Sequence, residues 1–288
     1  MKIACIILYW GVYHKLGTVA ANSFAKYHPN IDLFQIGDHN RDDYISSKYF
    51  RDLSAGTWRF MLAVELMQRQ GYDKVILLGA DTITCGRLDE FLDDNEHDIL
   101  ASLDYPYQLQ EYDAARRRTI ALCPDAETHL NADVICFNNV QSIIDIIVHA
   151  KFFSTYGEQG ALNYVVWLGG KFSTRIVDGP HESSLVVYNV RAKGNVALEK
   201  IYHGDKLNKP WGSYLQKFYI CDGKLFTGTD KQIKVWHYCD GLGNLNNKKK
   251  MILINSYISS WFNQETKDFF RDHCAAGNFF HEEFIINE

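Results

Sequence analysis

The run Lys74-Val75-Ile76-Leu77-Leu78 does most to limit the folds open to this chain. A continuous apolar run of strand length, with no polar alternation, belongs in a strand covered on both faces. A helix-like stretch, Thr57–Gln70, precedes it, with apolar Phe60, Met61, Val64 and Met67 at helical spacing and Gly71 as a stop signal. The same alternation fills the first 170 or so residues. It predicts strands over Lys2–Tyr9, Ile31–Ile36, Asp98–Leu103 and Asp133–Phe137, and helices over Gly17–Tyr27, Val140–Ala150 and Gln159–Leu168. This rhythm predicts an α/β fold whose sheet is mostly parallel, with helices on both faces. Further on the pattern loosens into short strands at Arg175–Val177, Leu185–Tyr188 and Ile233–His237, set among Gly, Asn and Asp loops. A polar basic loop, Asn246–Lys250, precedes an amphipathic helix over Ser256–Cys274, rich in Phe and Trp.

Composition excludes some classes. The net charge of −5 argues against a nucleic-acid binder, which would present a basic surface. Ile3–Trp10 is not followed by a small-residue cleavage site, and no apolar run approaches the ~18 residues of a membrane span. Seven scattered cysteines lack paired C-x-x-C spacing and read as reduced thiols. The expectation is a cytoplasmic protein without a transmembrane segment.

The chemistry begins where the buried strand ends. Gly79-Ala80-Asp81 places a small residue and then a carboxylate at the carboxyl end of a strand, where ligands of open α/β sheets bind. Such a carboxylate can hold Mg²⁺ or Mn²⁺ shared with substrate phosphates. The plainer alternative is that Asp81 caps the turn into Cys85–Phe91.

This strand end resembles the Asp-x-Asp strand of retaining glycosyltransferases related to glycogenin and to bacterial lipopolysaccharide galactosyltransferases. Further matches follow in the family's order. Thr57-Trp58-Arg59 stands where the family has a basic residue contacting the sugar nucleotide. Leu130-Asn131-Ala132-Asp133 through Asn138 is similar to its Asn-Ala-Gly-Val strand, and Glu158-Gln159-Gly160-Ala161-Leu162-Asn163 to its Asp-Gln-x-x-Leu-Asn helix start. His203 precedes Lys209-Pro210-Trp211 at the spacing of its His-x-x-Gly-x-x-Lys-Pro-Trp motif. The opening Tyr9-Trp10, Tyr13 and Ala20-Ala21-Asn22-Ser23 fits its nucleotide-binding start.

The resemblance implies a single GT-A, Rossmann-like domain over residues 1–245 and a C-terminal helical extension over 246–288 packing on it. It implies transfer from a nucleotide-diphosphate sugar, UDP-linked, to a hydroxyl of a glycan, lipid or protein, assisted by Mn²⁺ or Mg²⁺ and retaining the anomeric configuration. Donor binding would fall to Tyr9, Trp10, Tyr13, Arg59, Gly79, Ala80, Asp81, Asn131 and Lys209. Gln159 matches the side-chain amide the family sets on the far face of the sugar, with Asp133 and Glu158 beside it as catalytic candidates. The metal would take Asp81 and a histidine. Gln232–His237 is the better strand ending in a histidine and favours His237, while the spacing to Lys209 supports His203.

Two departures stand out. Gly79 replaces the first Asp of Asp-x-Asp, so one carboxylate is missing. Asp133 stands where the family has Gly and could restore some of that charge. A charge-neutralising set of metal, Lys and Arg suits a diphosphate leaving group on chemical grounds alone. Two other readings stay open. A sugar nucleotidyltransferase would open on a Gly-rich basic loop, where this chain has Tyr9-Trp10-Gly11-Val12-Tyr13. An inactive nucleotide-sugar-binding module would account for Gly79. Arg116-Arg117-Arg118 and Lys248–Lys250 read as solvated loops.

Overall fold

The computed structural model describes residues 1–9, 13–37, 40, 55–103, 130–150, 157–177, 186–187, 190–191, 218–227, 230–237 and 263–277. Trp10, His203, Lys209, Trp211, Tyr238, both basic triplets and the first part of the predicted 256–274 helix lie outside these residues. In the first half the elements run β1 (Ile3–Leu8), α1 (His14–Tyr27), β2 (Asp32–Ile36), α2 (Ala55–Gln70), β3 (Lys74–Gly79), β4 (Thr82–Thr84), α3 (Asp89–Leu92) and β5 (Ile99–Leu103). Next come β6 (Leu130–Phe137), α4 (Val140–Ala150), α5 (Gly157–Trp167), β7 (Thr174–Ile176), β8 (Val186–Val187) and β9 (Val190–Arg191). The last are β10 (Phe218–Cys221), β11 (Lys224–Thr227), β12 (Gln232–Ile233), β13 (Val235–His237) and α6 (Gln264–His273). Two compact units share the chain: Met1–Gly11, Asn30–Gly79 and Leu88–Val177 in one, Val12–Pro29, Ala80–Arg87 and Asp178–Glu288 in the other.

The first unit is built on a six-stranded sheet of order β2-β1-β3-β6-β5-β7. β1 pairs in parallel with β2 and β3, and β5 with β7. β6 runs antiparallel to β3 and to β5. The sheet is therefore the mixed, mostly parallel one expected, with β6 as its reversed strand. Every residue of β3 is buried, as its unbroken apolar run requires. One sheet face gives Ala4, Ile6, Val75, Leu77, Ile99, Ala101, Ile135 and Phe137 to a core completed by Phe60, Leu66, Ile143, Ile146 and Leu162 of α2, α4 and α5. Phe60 meets Phe137 edge-on at 5.7 Å between ring centroids.

Local chemistry sets the ends of these helices. α2 stops at Gly71, whose φ of +69° is a left-handed conformation glycine adopts without strain. The Tyr72 amide then reaches back to the Leu66 carbonyl at 3.2 Å. Asn139 immediately precedes α4, and its side-chain oxygen accepts from the Gln141 amide at 2.9 Å. Lys74 is buried at the start of β3, and its ammonium donates to the carbonyls of Phe91 (2.7 Å), Leu92 (2.9 Å) and Asp94 (2.7 Å). That ties the strand to the end of α3.

The second unit holds two small sheets. β4, β13 and β9 form one, with β13 antiparallel to β4 and parallel to β9. β10, β11, β12 and β8 form the other. Residues 233–237 read from sequence as one strand, but the chain bends at Lys234. Ile233 stays with β8, while Val235 begins β13. The Cys85 amide donates to the Lys234 carbonyl at that bend, at 2.8 Å. The Ser23 hydroxyl of α1 accepts from the Thr84 amide at 3.0 Å, and Trp236 of β13 packs edge-on against Phe270 of α6. α6 is capped by Asn263, which accepts from the Thr266 amide at 2.8 Å. No helix among the described residues is long and apolar enough to cross a membrane.

Candidate functional site

In the second unit, an antiparallel strand pairing brings together Asp81 and His237, one of the two histidines the sequence offers for a metal. Asp81 immediately precedes β4, and His237 is the last residue of β13. The antiparallel register sets His237 opposite Thr82, one residue from Asp81. The imidazole Nε2 stands 3.3 Å from Asp81 Oδ1. The His237 side chain is fully buried and that of Asp81 is 13% exposed, so the carboxylate faces what solvent there is. Two neighbouring ligands on an ion with bonds of about 2.1 Å lie about 3.0 Å apart, so the pair is spaced as adjacent corners of one coordination sphere. A nitrogen beside a carboxylate oxygen fits a transition ion such as Mn²⁺ better than Mg²⁺, which prefers an all-oxygen shell. Ala80, also in this unit, is buried; Tyr13, just before α1, is half-buried.

The first unit carries a second polar constellation around an irregularity in β6. Ala101 of β5 faces Ile135, but its neighbour Ser102 faces Asn131, so Ala132, Asp133 and Val134 form an excursion on β6. Side chains take up the freed backbone groups. The Ser102 hydroxyl donates to the Val134 carbonyl at 3.0 Å, Asn131 Oδ1 accepts from the Asp133 amide at 2.6 Å, and Gln159 Oε1 accepts from the Ala132 amide at 3.3 Å. The excursion presents the Asp133 carboxylate to Arg59 of α2, whose guanidinium nitrogen lies 2.5 Å from Asp133 Oδ1. Arg59 is almost completely buried, and its Nε has no hydrogen-bond partner among the described residues.

Glu158, in the first turn of α5, completes the group. Burial pushes its carboxyl above the usual carboxylate range; Arg59 pulls it down, and Asp133 adds to the rise. Its carboxyl lies where the missing side chain of Gly56 leaves room. A Cβ there would lie 2.0 Å from Glu158 Oε1.

Of the residues read from sequence, Arg59, Asn131, Asp133, Glu158 and Gln159 gather in the first unit, and Asp81 and His237 pair in the second. Tyr9 and Gly79 lie at the ends of adjacent strands, where Leu8 pairs with Gly79. The Tyr9 amide bonds the Ile36 carbonyl at 2.8 Å, and burial raises its phenol above the ordinary value. Trp10, His203 and Lys209 lie outside the described residues. Sequence reasoning gave no role to Gly56, Ser102 or Asn163. Only Asn163 carried a signal, sharing a helix face with Gln159 at a spacing of four.

No protein-family model matches the sequence, and no curated protein does. Solved structures match in fold. The apo structure of WbbM, a bifunctional glycosyltransferase, is 16% identical and covers 88% of this chain with a TM-score of 0.51. The chain spans about half of that one, 49%. A glycosyltransferase involved in glycosylation of the major capsid of PBCV-1 is 8% identical, covering 89% of this chain and 100% of its own, with a TM-score of 0.50. The galactosyltransferase LgtC, in complex with donor and acceptor sugar analogues, is 17% identical over 92% of this chain and 99% of its own, with a TM-score of 0.46. The fold is that of the GT-A glycosyltransferases.

Proposed function

We propose that this protein is a metal-assisted glycosyltransferase that moves a sugar from a nucleotide-diphosphate sugar, UDP-linked, to a hydroxyl of a glycan, lipid-linked or protein acceptor. The observation that carries the reading is the Asp81–His237 pair, 3.3 Å apart, where Asp81 immediately precedes β4 and His237 ends β13. A transferase fold gives that pair its context. When bound, a divalent ion neutralises charge on the diphosphate leaving group.

The chain's own residues have distinct tasks in this reading. Asp81 and His237 hold the ion, with His203 as the other candidate histidine. Arg59, buried beside Asp133, offers guanidinium N–H groups to an anionic or hydroxyl-bearing donor. Asp133 supplies negative charge that Gly79 does not. Glu158 and Gln159 place a carboxyl and an amide toward the donor sugar, and Asn131 fixes the strand beside them. Tyr9, Trp10, Tyr13, Gly79 and Ala80 shape the nucleotide pocket, and Lys209 meets the diphosphate. Retention of configuration rests on the resemblance of the Glu158-Gln159 helix start. The transferase domain occupies residues 1–245 and the extension 246–288, in the cytoplasm.

Donor hydrolysis by the purified protein, with and without Mn²⁺, tests the proposal, together with calorimetric titration of UDP in the presence of Mn²⁺. Turnover that depends on Mn²⁺ supports it. Heat of UDP binding without hydrolysis or transfer favours the inactive binding module that Gly79 suggests. No heat with any nucleoside diphosphate removes the donor reading altogether.

A further inference from the structure

β3 pairs with β6 only from Val134 to Phe137. Leu130, at the start of β6, therefore has no strand partner from β3, although its backbone is fully buried. Asn163 of α5 takes that place. Its side-chain oxygen accepts from the Leu130 amide at 2.7 Å, and its side-chain nitrogen donates to the Leu130 carbonyl at 3.0 Å. This double exchange is what a hydrogen-bonded residue on an antiparallel strand would provide. The same carboxamide donates to the Gln159 carbonyl at 2.8 Å and accepts from Trp167 Nε1 at 3.3 Å. One buried side chain thus joins the strand that carries Asn131 and Asp133 to the helix turn that carries Glu158 and Gln159.

Gln159 extends the joint. It lies four residues before Asn163 on the same helix face, and its oxygen meets the Ala132 amide at 3.3 Å. Two amides from one helix serve as a substitute edge for the irregular part of β6. Neither is replaceable by an apolar residue of similar size, because the buried amides and carbonyl of the strand would then lack partners.

We infer that Asn163 is a positioning residue, one that holds the Asn131–Asp133 segment and the Glu158–Gln159 turn in a single register. This rests on the proposed transferase reading for its effect on turnover, but not for its effect on the strand. Misplacement of such groups acts on the chemical step more than on ground-state binding of the donor, so the expected signature is in kcat.

The test uses the full chain with Asn163→Leu, which removes all four hydrogen bonds. Asn163→Asp keeps the shape and the two acceptances but loses both donations, and serves if the leucine variant fails to fold. Amide hydrogen exchange is followed without ligand, and Mn²⁺-dependent donor hydrolysis alongside it. Exchange at Leu130 and Ala132 should quicken by roughly 100-fold while Ile76 and Leu77 change by less than about 3-fold. The kcat for hydrolysis should fall at least ~10-fold with KM within about 2-fold. Unchanged exchange at Leu130 and Ala132 would overturn the inference. So would exchange that rises equally throughout the first unit with kcat unaltered, since that is a purely structural role. A wild-type protein that hydrolyses no nucleotide sugar sinks the transferase reading by itself, and the exchange pattern still decides the place of Asn163.

Discussion

Gly56→Ala is a small change at a point where two effects of opposite sign can be weighed. The new Cβ would lie 2.0 Å from Glu158 Oε1, 2.1 Å from its Cδ and 2.6 Å from Oε2. Ordinary contact starts at 3.4 Å. The carboxyl group must therefore retreat by roughly 1.4 Å to escape overlap. It can do so, because it is the end of a flexible side chain, at a rotamer cost of about 0.5–1.5 kcal/mol. The helix gains in return: alanine is favoured over glycine by up to about 1 kcal/mol inside a helix and by less in a first turn, where residue 56 stands. The two terms nearly cancel, so urea unfolding should change by less than about 1 kcal/mol. Activity should not be spared, because displacing a reacting or orienting group by about 1 Å can cost on the order of 100-fold in rate. Glu158→Ala removes the clash, so adding Gly56→Ala on that background should cost little more. The measurements are kcat for Mn²⁺-dependent donor hydrolysis and the unfolding midpoint. Wild-type kcat in Gly56→Ala would refute the reasoning, as would an equal further loss on the Glu158→Ala background.

Other expectations follow from single groups. Asp81→Ala and His237→Ala should each raise the Mn²⁺ needed for half-maximal hydrolysis by at least ~10-fold, and a normal Mn²⁺ titration of His237→Ala would move the ligand role to His203. Lys74→Met leaves three carbonyls, two of them in buried bonds, without their ammonium, and should cost about 1–3 kcal/mol in urea unfolding; burial already lowers this lysine's pKa, so relief from desolvation keeps the loss below the sum of three charged hydrogen bonds. Burial raises the Asp94 carboxyl, but hydrogen bonds from Arg175, His97 and the Glu96 amide outweigh it and hold the group well below the usual range. A depressed folded value stabilises above the unfolded value near pH 4 and is lost as pH falls toward the folded one, so Asp94→Asn should be less stable at pH 7 and show a weaker further loss between about pH 4 and 2 in acid-unfolding curves.

Much of the framework was legible in the sequence because burial leaves a mark there. The unbroken run Val75–Leu78 required cover on both faces, and Gly71 gave the end of α2 a residue able to adopt positive φ. His237 was expected beside Asp81 because Ile233, Val235 and Trp236 read as a strand. Their adjacency holds, but β13 delivers it by pairing with β4 rather than by joining the central sheet. The bend at Lys234 was invisible, since apolar residues continue on both sides of it and the change of sheet depends on the Cys85 amide, far away in sequence. The direction of β6 was equally hidden. A buried strand has the same apolar content whether its neighbours run with it or against it, and a connection as long as that from Leu103 to Leu130 allows either direction. The Asp222-Gly223 turn could have been read, because both residues adopt the positive φ (49° and 67°) of a two-residue hairpin, here joining β10 to β11.

The polar constellation shows why residue types alone assign roles incompletely. From the resemblance, Gln159 is a group aimed at a sugar; in the fold, its oxygen also meets the Ala132 amide, at 3.3 Å. From sequence, Asp133 is a charge that makes good the loss at Gly79; in the fold, that charge lies 2.5 Å from Arg59. Each of these groups has an internal partner, and each partner belongs to an element far off in sequence. The excursion of Ala132–Val134 makes this necessary. Once Ala132–Val134 leave the ladder with β5, side chains meet the backbone here: the Ser102 hydroxyl donates to the Val134 carbonyl, Asn131 and Gln159 accept from the Asp133 and Ala132 amides, and Asn163 bonds both backbone groups of Leu130 nearby. Three of those four side chains, Asn131, Gln159 and Asn163, lie in the two segments that resemble the transferase family. The resemblance there is thus partly a record of how an irregular strand is held, and the Arg59–Asp133 ion pair forms on that held stretch.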